Sequence, residues 1–285
     1  MKKTGKNIFY FLLFLVIISL IPFKSIFEPK TNKVGLITID YPIVSSSQFN
    51  EELDYLIDRG DINDIIIRLN TPGGGVASSQ EIYSRIIAEK NKSNISFITS
   101  MESVAASGGY YIAIATDKIF ANPGSITGSI GVIMEYPIID ELLETIGIEY
   151  KTVKSSSFKD SGSPFRDMTD EERIYFQELI DDLYNQFIEA VSLGREIPIE
   201  EVKDIANGKI YSGKQAQKIG LVDTLGSLND VVEYIKLKNV YQNKIKLINM
   251  PKEENSIFDF IFNILSYKLE PSNLNYTLPQ YLIVN

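Results

Sequence analysis

Ser107 is a serine whose surroundings would suit a nucleophile. It lies in ASGGYY (106–111), between a predicted strand and a predicted helix. Backbone N–H groups at the start of a helix are unpaired and lie at the positive end of its dipole. The N–H of Gly108 could therefore bind the oxyanion of an acyl-transfer reaction. A serine at this place could equally be a helix N-cap, which is the commoner role.

The composition restricts which base could activate such a serine. The chain of 285 residues contains no histidine and no cysteine. This excludes a Ser-His-Asp triad, a cysteine nucleophile, disulfides and zinc sites built from His and Cys. The base must then be a lysine, a carboxylate or an N-terminal amine. A free lysine has a pKa of about 10.4, so work near neutrality needs a decrease of about three units, which desolvation can supply.

Lys159 is a candidate for this base. It lies in the polar stretch KSSSFKDSGSPFR (154–166), whose hydroxyl groups could orient an amine without adding a counter-charge. A nearby carboxylate would instead favour the charged amine, so we predict that the adjacent Asp160 points its side chain elsewhere. Spacing alone does not choose Lys159 over Lys151 or Lys154.

A second glycine-rich turn, TPGGG (71–75), follows the apolar run at 64–70. Ligands of open α/β sheets gather at the carboxyl ends of the strands, and glycine lets backbone N–H groups approach them closely. Gly74 is therefore a candidate for the second oxyanion donor, although TPGGG also suits a simple tight turn. The Lys-Ser/Thr ending of a phosphate-binding loop is missing, which argues against nucleotide binding.

Strands and helices alternate from residue 33 to about residue 238, which predicts an α/β domain with a mostly parallel sheet. Thr169 and Glu172 form a capping box at the start of the clearest helix. Other helices are expected at 45–59, after TPGGG through Ile82 and Ile86, and at 140–147. Strands are expected at 33–40, 64–70, 95–100, 118–121 and 129–134.

The N-terminus contains an uncharged apolar run at 8–23, preceded by Lys2, Lys3 and Lys6. Its length lies between that of a signal-peptide core and that of a full transmembrane helix. Because no small-x-small cleavage site follows, we predict that residues 1–27 are an uncleaved single-pass anchor, with a cleaved signal peptide as the alternative. The early lysines predict a cytoplasmic N-terminus and a catalytic domain on the extracytoplasmic side of the cell membrane.

Residues 28–250 are predicted to form the folded domain and residues 251–285 a separate tail. The tail is rich in aromatic residues, as in SIFDFIFNILSY (256–267). It could pack against the domain or a neighbouring subunit, lie on a membrane surface or occupy the active-site groove. The formal charge of −9 argues against a nucleic-acid partner.

Five motifs in order make the chain similar to a known family. From about residue 64 to residue 225 it resembles signal peptide peptidase A, or protease IV, in the short single-domain form. The motifs are TPGGGV (71–76), SVAASGGYYIA (103–113), PGSITGSIGVI (123–133), VKSSSFKDSGSPFRDMTDEER (153–173) and IYSGKQAQKIGLVD (210–223).

The resemblance implies a ClpP/crotonase-like fold and a Ser-Lys dyad, with Ser107 as the nucleophile and Lys159 as the base. It also implies that Ser129, the second serine of TGSIG, contacts the lysine amine. The family forms ring-like homo-oligomers with active sites shared between neighbouring subunits. Ser107 and Lys159 could therefore meet only across an interface.

The expected function is that of a membrane-anchored serine endopeptidase that degrades cleaved signal peptides and other unfolded apolar segments, without a metal or cofactor. The backbone N–H groups of Gly74 and Gly108 would bind the oxyanion. One alternative is a crotonase-like acyl-CoA enzyme, against which the export signal argues because acyl-CoA is cytoplasmic. The other is a non-catalytic peptide-binding scaffold, against which the intact dyad argues.

Overall fold

The computed structural model describes residues 32–241, 243–251 and 280–281. The predicted anchor at 1–27 and most of the predicted tail lie outside these residues. Among the helices that are described, none is long and apolar enough to cross a membrane.

A mostly parallel sheet of eight strands forms the centre of the domain, which confirms the α/β prediction. The strands are β1 (Asn32–Ile39), β2 (Asp64–Thr71), β4 (Ser96–Ala106), β5 (Lys118–Ala121), β6 (Ile126–Gly128), β7 (Ile210–Ser212), β8 (Thr224–Leu225) and β9 (Ile245–Ile248). Six strands lie in the order β7-β6-β4-β2-β1-β9, while β5 pairs with β4 and β8. Of these pairs, β6 with β7 is antiparallel and the others are parallel. A separate pair joins β3 (Gly74–Gly75) to β10 (Gln280–Tyr281).

Helices cover both faces of this sheet. They are α1 (Ser47–Asp58), α2 (Val76–Lys92), α3 (Gly108–Ala113), α4 (Asp140–Thr145), α5 (Asp170–Arg195), α6 (Ile199–Ile205), α7 (Gly213–Lys218) and α8 (Leu228–Lys238). A 3₁₀ turn spans Ser157–Asp160. The predicted capping box of α5 is confirmed, because Thr169 Oγ1 accepts the N–H of Glu172 while the Glu172 carboxylate accepts the N–H of Thr169.

The central strand β2 shows why the sheet must be covered on both sides. Its residues Ile65, Ile66 and Ile67 are all fully buried, as expected of a parallel strand between two layers of helices. Ile65 and Ile67 belong to the larger core, which includes residues of α1, α2, α3 and α5. Ile66 points the other way, into a smaller core with Val231 of α8.

The strand β4 has two different neighbours along its length. Its residues 98–101 pair with β5, whereas its last residues, 104–106, pair with β6. The small residues Ala105 and Ala106 are fully buried and continue the strand, although the sequence predicts that it ends at residue 100. This extension places the end of β4 directly beside the end of β6.

The prediction of a strand at 129–134 is wrong. The strand in this part of the chain is β6, which ends at Gly128. Gly128 and Ser129 have φ angles of 79° and 51°, so the backbone leaves the extended conformation there. An added Cβ on Gly128 would lie 2.6 Å from Cδ2 of Tyr211, so the antiparallel neighbour β7 also favours glycine.

Candidate active site

Ser107 occupies a sharp turn between β4 and α3. Its φ of 52° and ψ of −117° are strained for a residue with a side chain, and such strain costs about 1–3 kcal/mol. Two backbone hydrogen bonds hold the turn. The Ser107 N–H donates to Gly128 O at 2.8 Å, and Ser107 O accepts the N–H of Tyr111 at 2.9 Å.

The Ser107 hydroxyl is buried and has no hydrogen-bond partner among the described residues. It makes no N-cap hydrogen bond to α3, so Ser107 is not an ordinary helix cap here. An unpaired buried hydroxyl costs about 1–3 kcal/mol, which makes it an exception that needs an explanation. A nucleophile that awaits a base and a substrate has this arrangement.

The helix α3 holds the N–H of Gly108 next to this hydroxyl. Gly108 is the first residue of the helix, where backbone donors lack acceptors within the helix. An added Cβ on Gly109 would lie 2.8 Å from Cγ2 of Thr71, so glycine lets α3 approach the end of β2. Tyr110 anchors the helix, because its buried hydroxyl donates to Leu221 O at 3.0 Å.

Thr71 and Ile43 hold the second glycine turn. Thr71 Oγ1 donates to Tyr41 O at 2.6 Å and accepts the N–H of Gly73 at 3.2 Å. The Ile43 N–H donates to Gly73 O, and the Gly75 N–H donates to Ile43 O. Sequence reasoning missed both supporting residues. For Thr71, the one available sequence signal was its position just before PGGG.

The main-chain groups of Gly74 face away from Ile43. Gly73 O and Gly75 N–H are directed at Ile43, and successive residues of an extended chain direct these groups to opposite sides. An added Cβ on Gly74 would lie 2.1 Å from Ile43 O, so only glycine fits there. On the other side, β10 pairs with the turn in antiparallel fashion, with Tyr281 opposite Gly74. The turn thus accepts an extended polypeptide as an added strand.

Ser129 lies beside Ser107 because β4 and β6 are in parallel register. Ala106 pairs with Gly128 and the Ser107 N–H donates to Gly128 O, so Ser129 directly follows the residue that Ser107 contacts. Ser129 is 8% exposed, and its N–H donates to Lys209 O at 2.8 Å. Thr71 pairs with Ala105, which places the start of the glycine turn at the same sheet edge. The structure therefore gathers Ser107, Gly108, Ser129 and the glycine turn.

Lys159 is not part of this cluster within the single chain. It lies on the 3₁₀ turn with an exposed side chain. Its ammonium does not hydrogen-bond the Ser107 hydroxyl, which lacks any partner in the described part of the chain. The prediction for Asp160 is confirmed, because its carboxylate bonds Lys154 at 2.6 Å and Arg166 at 2.8 Å.

The three lysines that spacing left open differ in their partners. Lys154 is paired with Asp160, and Lys151 is paired with Glu149 at 3.1 Å. Neither a salt bridge nor a side-chain hydrogen bond holds the Lys159 ammonium among the described residues. Across those same residues no group of three or more His, Cys, Asp or Glu side chains could hold a metal ion.

These features define a class of protein. It is a mostly parallel α/β domain with a strained serine turn at the carboxyl edge of its sheet. The model of Peptidase family S49 matches residues 89–241, and the chain belongs to this family. This match, together with the curated relatives that carry the name SppA, confirms the resemblance to signal peptide peptidase A.

Three curated relatives are similar to the chain over much of its length. A putative signal peptide peptidase SppA of Enterococcus faecium is 35% identical over 218 residues, which are 75% of this chain and 63% of that protein. A putative protease of Synechocystis is 42% identical over 60% of this chain and 61% of its own length. A putative protease of Methanocaldococcus jannaschii is 36% identical over 68% of this chain and 62% of its own length. The chain thus spans about three fifths of these relatives.

The fit of Gly74 against Ile43 predicts that Gly74→Ala displaces the glycine turn. We expect hydrolysis of a fluorogenic peptide to decrease about a hundredfold, the size of effect seen when an oxyanion donor is lost. Gly124→Ala is the matched control, since an added Cβ there has nothing within 4 Å. Wild-type kcat/KM in a folded Gly74→Ala variant would contradict the assignment of this turn to the site.

Proposed function

We propose that this protein is a membrane-anchored serine endopeptidase with a Ser107-Lys159 dyad on a ClpP/crotonase-like domain. The Ser107 hydroxyl carries the proposal. The hydroxyl is buried and unpartnered among the described residues, its backbone turn is strained, and the glycine turn at the same end of the sheet pairs with an added strand. A hydroxyl in this position is suited to nucleophilic attack in acyl transfer.

The choice of Lys159 as base rests on chemistry and on pairing. The chain offers no histidine, so a lysine is the most suitable base for a serine nucleophile. A carboxylate partner would hold a lysine in its charged form. Lys151 and Lys154 have such partners, whereas no carboxylate is recorded on Lys159 within the described residues.

In the proposed reaction Ser107 Oγ attacks the scissile carbonyl while the neutral Lys159 amine removes its proton. The N–H groups of Gly108 and Gly74 stabilise the oxyanion, and Ser129 orients the amine. Lys159 then protonates the leaving amine, and a water molecule hydrolyses the acyl-enzyme. No metal or cofactor takes part in these steps.

A second copy of the chain would complete the site. Ser107 and Lys159 each lack a partner among the described residues of one chain, and Lys159 is exposed. Large apolar side chains are exposed along the segment that leads to Lys159 and on the helix beside it, which is typical of an interaction surface. They include Ile146, Ile148, Tyr150, Val153, Phe158 and Tyr175. We propose a ring-like homo-oligomer in which this surface covers a neighbour's Ser107 and removes water from the amine.

The substrates would be extended, unfolded polypeptides such as cleaved signal peptides. The main-chain groups of Gly74 face β10, so a peptide in its place would pair through its backbone. Recognition of this kind accepts many sequences. It also favours a peptide over an acyl-CoA ligand. An anchor at residues 1–27 would place the domain on the extracytoplasmic side of the cell membrane.

The dyad is tested with Ser107→Ala and Lys159→Ala in the full chain. We expect each variant to lose at least about a thousandfold in kcat for a fluorogenic peptide, because nucleophile and base act as one unit. Lys92→Ala, which changes an exposed lysine at the end of α2, is the control and should keep wild-type activity. Near-normal turnover by either dyad variant would end the assignment.

A shared site predicts that the two inactive variants complement each other. A mixed oligomer of Ser107→Ala and Lys159→Ala subunits contains interfaces with one intact serine and one intact lysine. Random mixing should restore about a quarter of the wild-type rate for such head-to-tail contacts. No recovery in mixed oligomers, verified with two different tags, would show that each dyad comes from a single subunit.

The pairing of β10 with the glycine turn predicts competition between the tail and the substrate. Deletion of residues 280–285 should decrease KM several-fold and leave kcat unchanged, because a competing strand is removed. Tyr281→Pro, which removes the backbone donor opposite Gly74, should have a similar effect, and Gln280→Ala should have none. An unchanged KM in the truncated protein would contradict this competition.

A further inference from the structure

The loop that carries Lys159 is held by Arg166. The guanidinium of Arg166 contacts both oxygens of Asp160, with Nε to Oδ2 at 2.9 Å and Nη2 to Oδ1 at 2.8 Å. It also contacts both oxygens of Glu172, with Nη1 to Oε2 at 2.8 Å and a further contact from Nη2 to Oε1. One side chain thus joins the residue next to Lys159 to the first turn of α5.

The position of Glu172 is fixed independently. Its side chain is 3% exposed, it accepts the N–H of Thr169 in the capping box, and it accepts the Ser161 hydroxyl at 2.9 Å. Asp160 is also mostly buried, and its second cation is Lys154. Lys154, Arg166 and Glu172 are the charged side chains that the structure records around Asp160. A network of this kind restricts geometry more than an isolated surface pair does.

Aromatic contacts support the same loop from α5. Phe158, which precedes Lys159, lies 5.6 Å from Tyr175 between ring centroids. An added Cβ on Gly162 would lie 3.6 Å from Phe176, so the chain after Asp160 also rests on this helix. Lys159 therefore lies between two residues, Phe158 and Asp160, that are both attached to the first turns of α5.

We propose that Arg166 is a positioning residue of the peptidase. It fixes the Lys159 loop on α5, and it keeps the Asp160 carboxylate occupied so that this carboxylate does not pair with the adjacent lysine. The inference rests on the proposed role of Lys159 as general base. Arg suits this task better than Lys, because its planar fork contacts two carboxylates at once.

The charge states of the network support this role. Hydrogen bonds from Arg166, and then from Lys154, hold the pKa of Asp160 well below its usual range. Arg166 also lowers the pKa of Glu172 to about 2. Both carboxylates therefore stay charged at neutral pH, where the network is intact. Without Arg166, only Lys154 would hold the Asp160 carboxylate, and the loss of one positive charge next to the base would favour its protonated form.

The test is the pH dependence of kcat/KM in the full-length assembled protein. In Arg166→Ala we expect the acid limb of the profile to move upward by about one unit, with an approximately tenfold loss of rate on that limb. Adding Asp160→Asn to Arg166→Ala should return the limb to its wild-type position, since the released carboxylate is gone. A residue with a purely structural role would not show this recovery.

Two further variants serve as controls. Arg173→Ala changes an exposed arginine in the first turn of α5 and should leave the profile unchanged. Asp160→Asn alone should also leave the acid limb in place, because Arg166 and Lys154 already hold that carboxylate. A downward shift of one unit in Asp160→Asn would mean that the carboxylate acts on Lys159 in the wild type, and would overturn the proposal even if Arg166→Ala fails to fold.

The outcomes separate this inference from the proposed function. If Arg166→Ala keeps the wild-type profile while Lys159→Ala is inactive, the positioning role is wrong and the dyad stands. If the Arg166→Ala/Asp160→Asn double variant keeps the upward-shifted acid limb, Arg166 does not act by keeping the Asp160 carboxylate away from Lys159. If Lys159→Ala remains active, the dyad itself is wrong, and the role of Arg166 falls with it.

Discussion

The site depends on the main-chain pairing at the end of β4. This strand pairs with β2 on one side and, over its last three residues, with β6 on the other. The parallel register brings Ser107 to the end of β6, and Ser107, whose φ angle is positive, donates its N–H to Gly128 O. The contacts of the sheet thus hold the strained turn in place, and an isolated loop would lack these contacts.

A second constraint acts on the lysine. An amine can accept a proton only where no carboxylate stabilises its charged form, and Lys159 has Asp160 as its immediate neighbour in the chain. The network of Lys154, Arg166 and Glu172 occupies that carboxylate. The same contacts attach the loop to α5, so geometry and charge are controlled by one set of side chains.

The two halves of the site differ in a way that fits assembly. The serine half is buried and built on the sheet, whereas the lysine half is exposed and is attached to the first turns of α5. The proposed oligomer would join the serine half of one subunit to the lysine half of the next, and closing that interface would exclude water from both. Under this arrangement a single chain would be stable yet inactive, which would limit cleavage to the assembled protein.

The amino-acid sequence alone determined much of this protein. The absence of histidine restricted the base, the apolar periodicity predicted the parallel α/β sheet, and the capping residues located the start of α5. These are local properties of composition and spacing. Motif order also identified the family, because five short segments occurred in sequence.

Only the tertiary structure decided what depends on long-range pairing. The extension of β4 to Ala106 and the end of β6 at Gly128 follow from register between strands, so the predicted strand at 129–134 was wrong. Spacing could not choose among three lysines. In the folded chain Lys151 and Lys154 form ion pairs with carboxylates, whereas Lys159 forms none among the described residues. The pairing of residues 280–281 with Gly74 and Gly75 joins segments about 200 residues apart. No local pattern encodes such a contact, because its partners meet only when the sheet has formed.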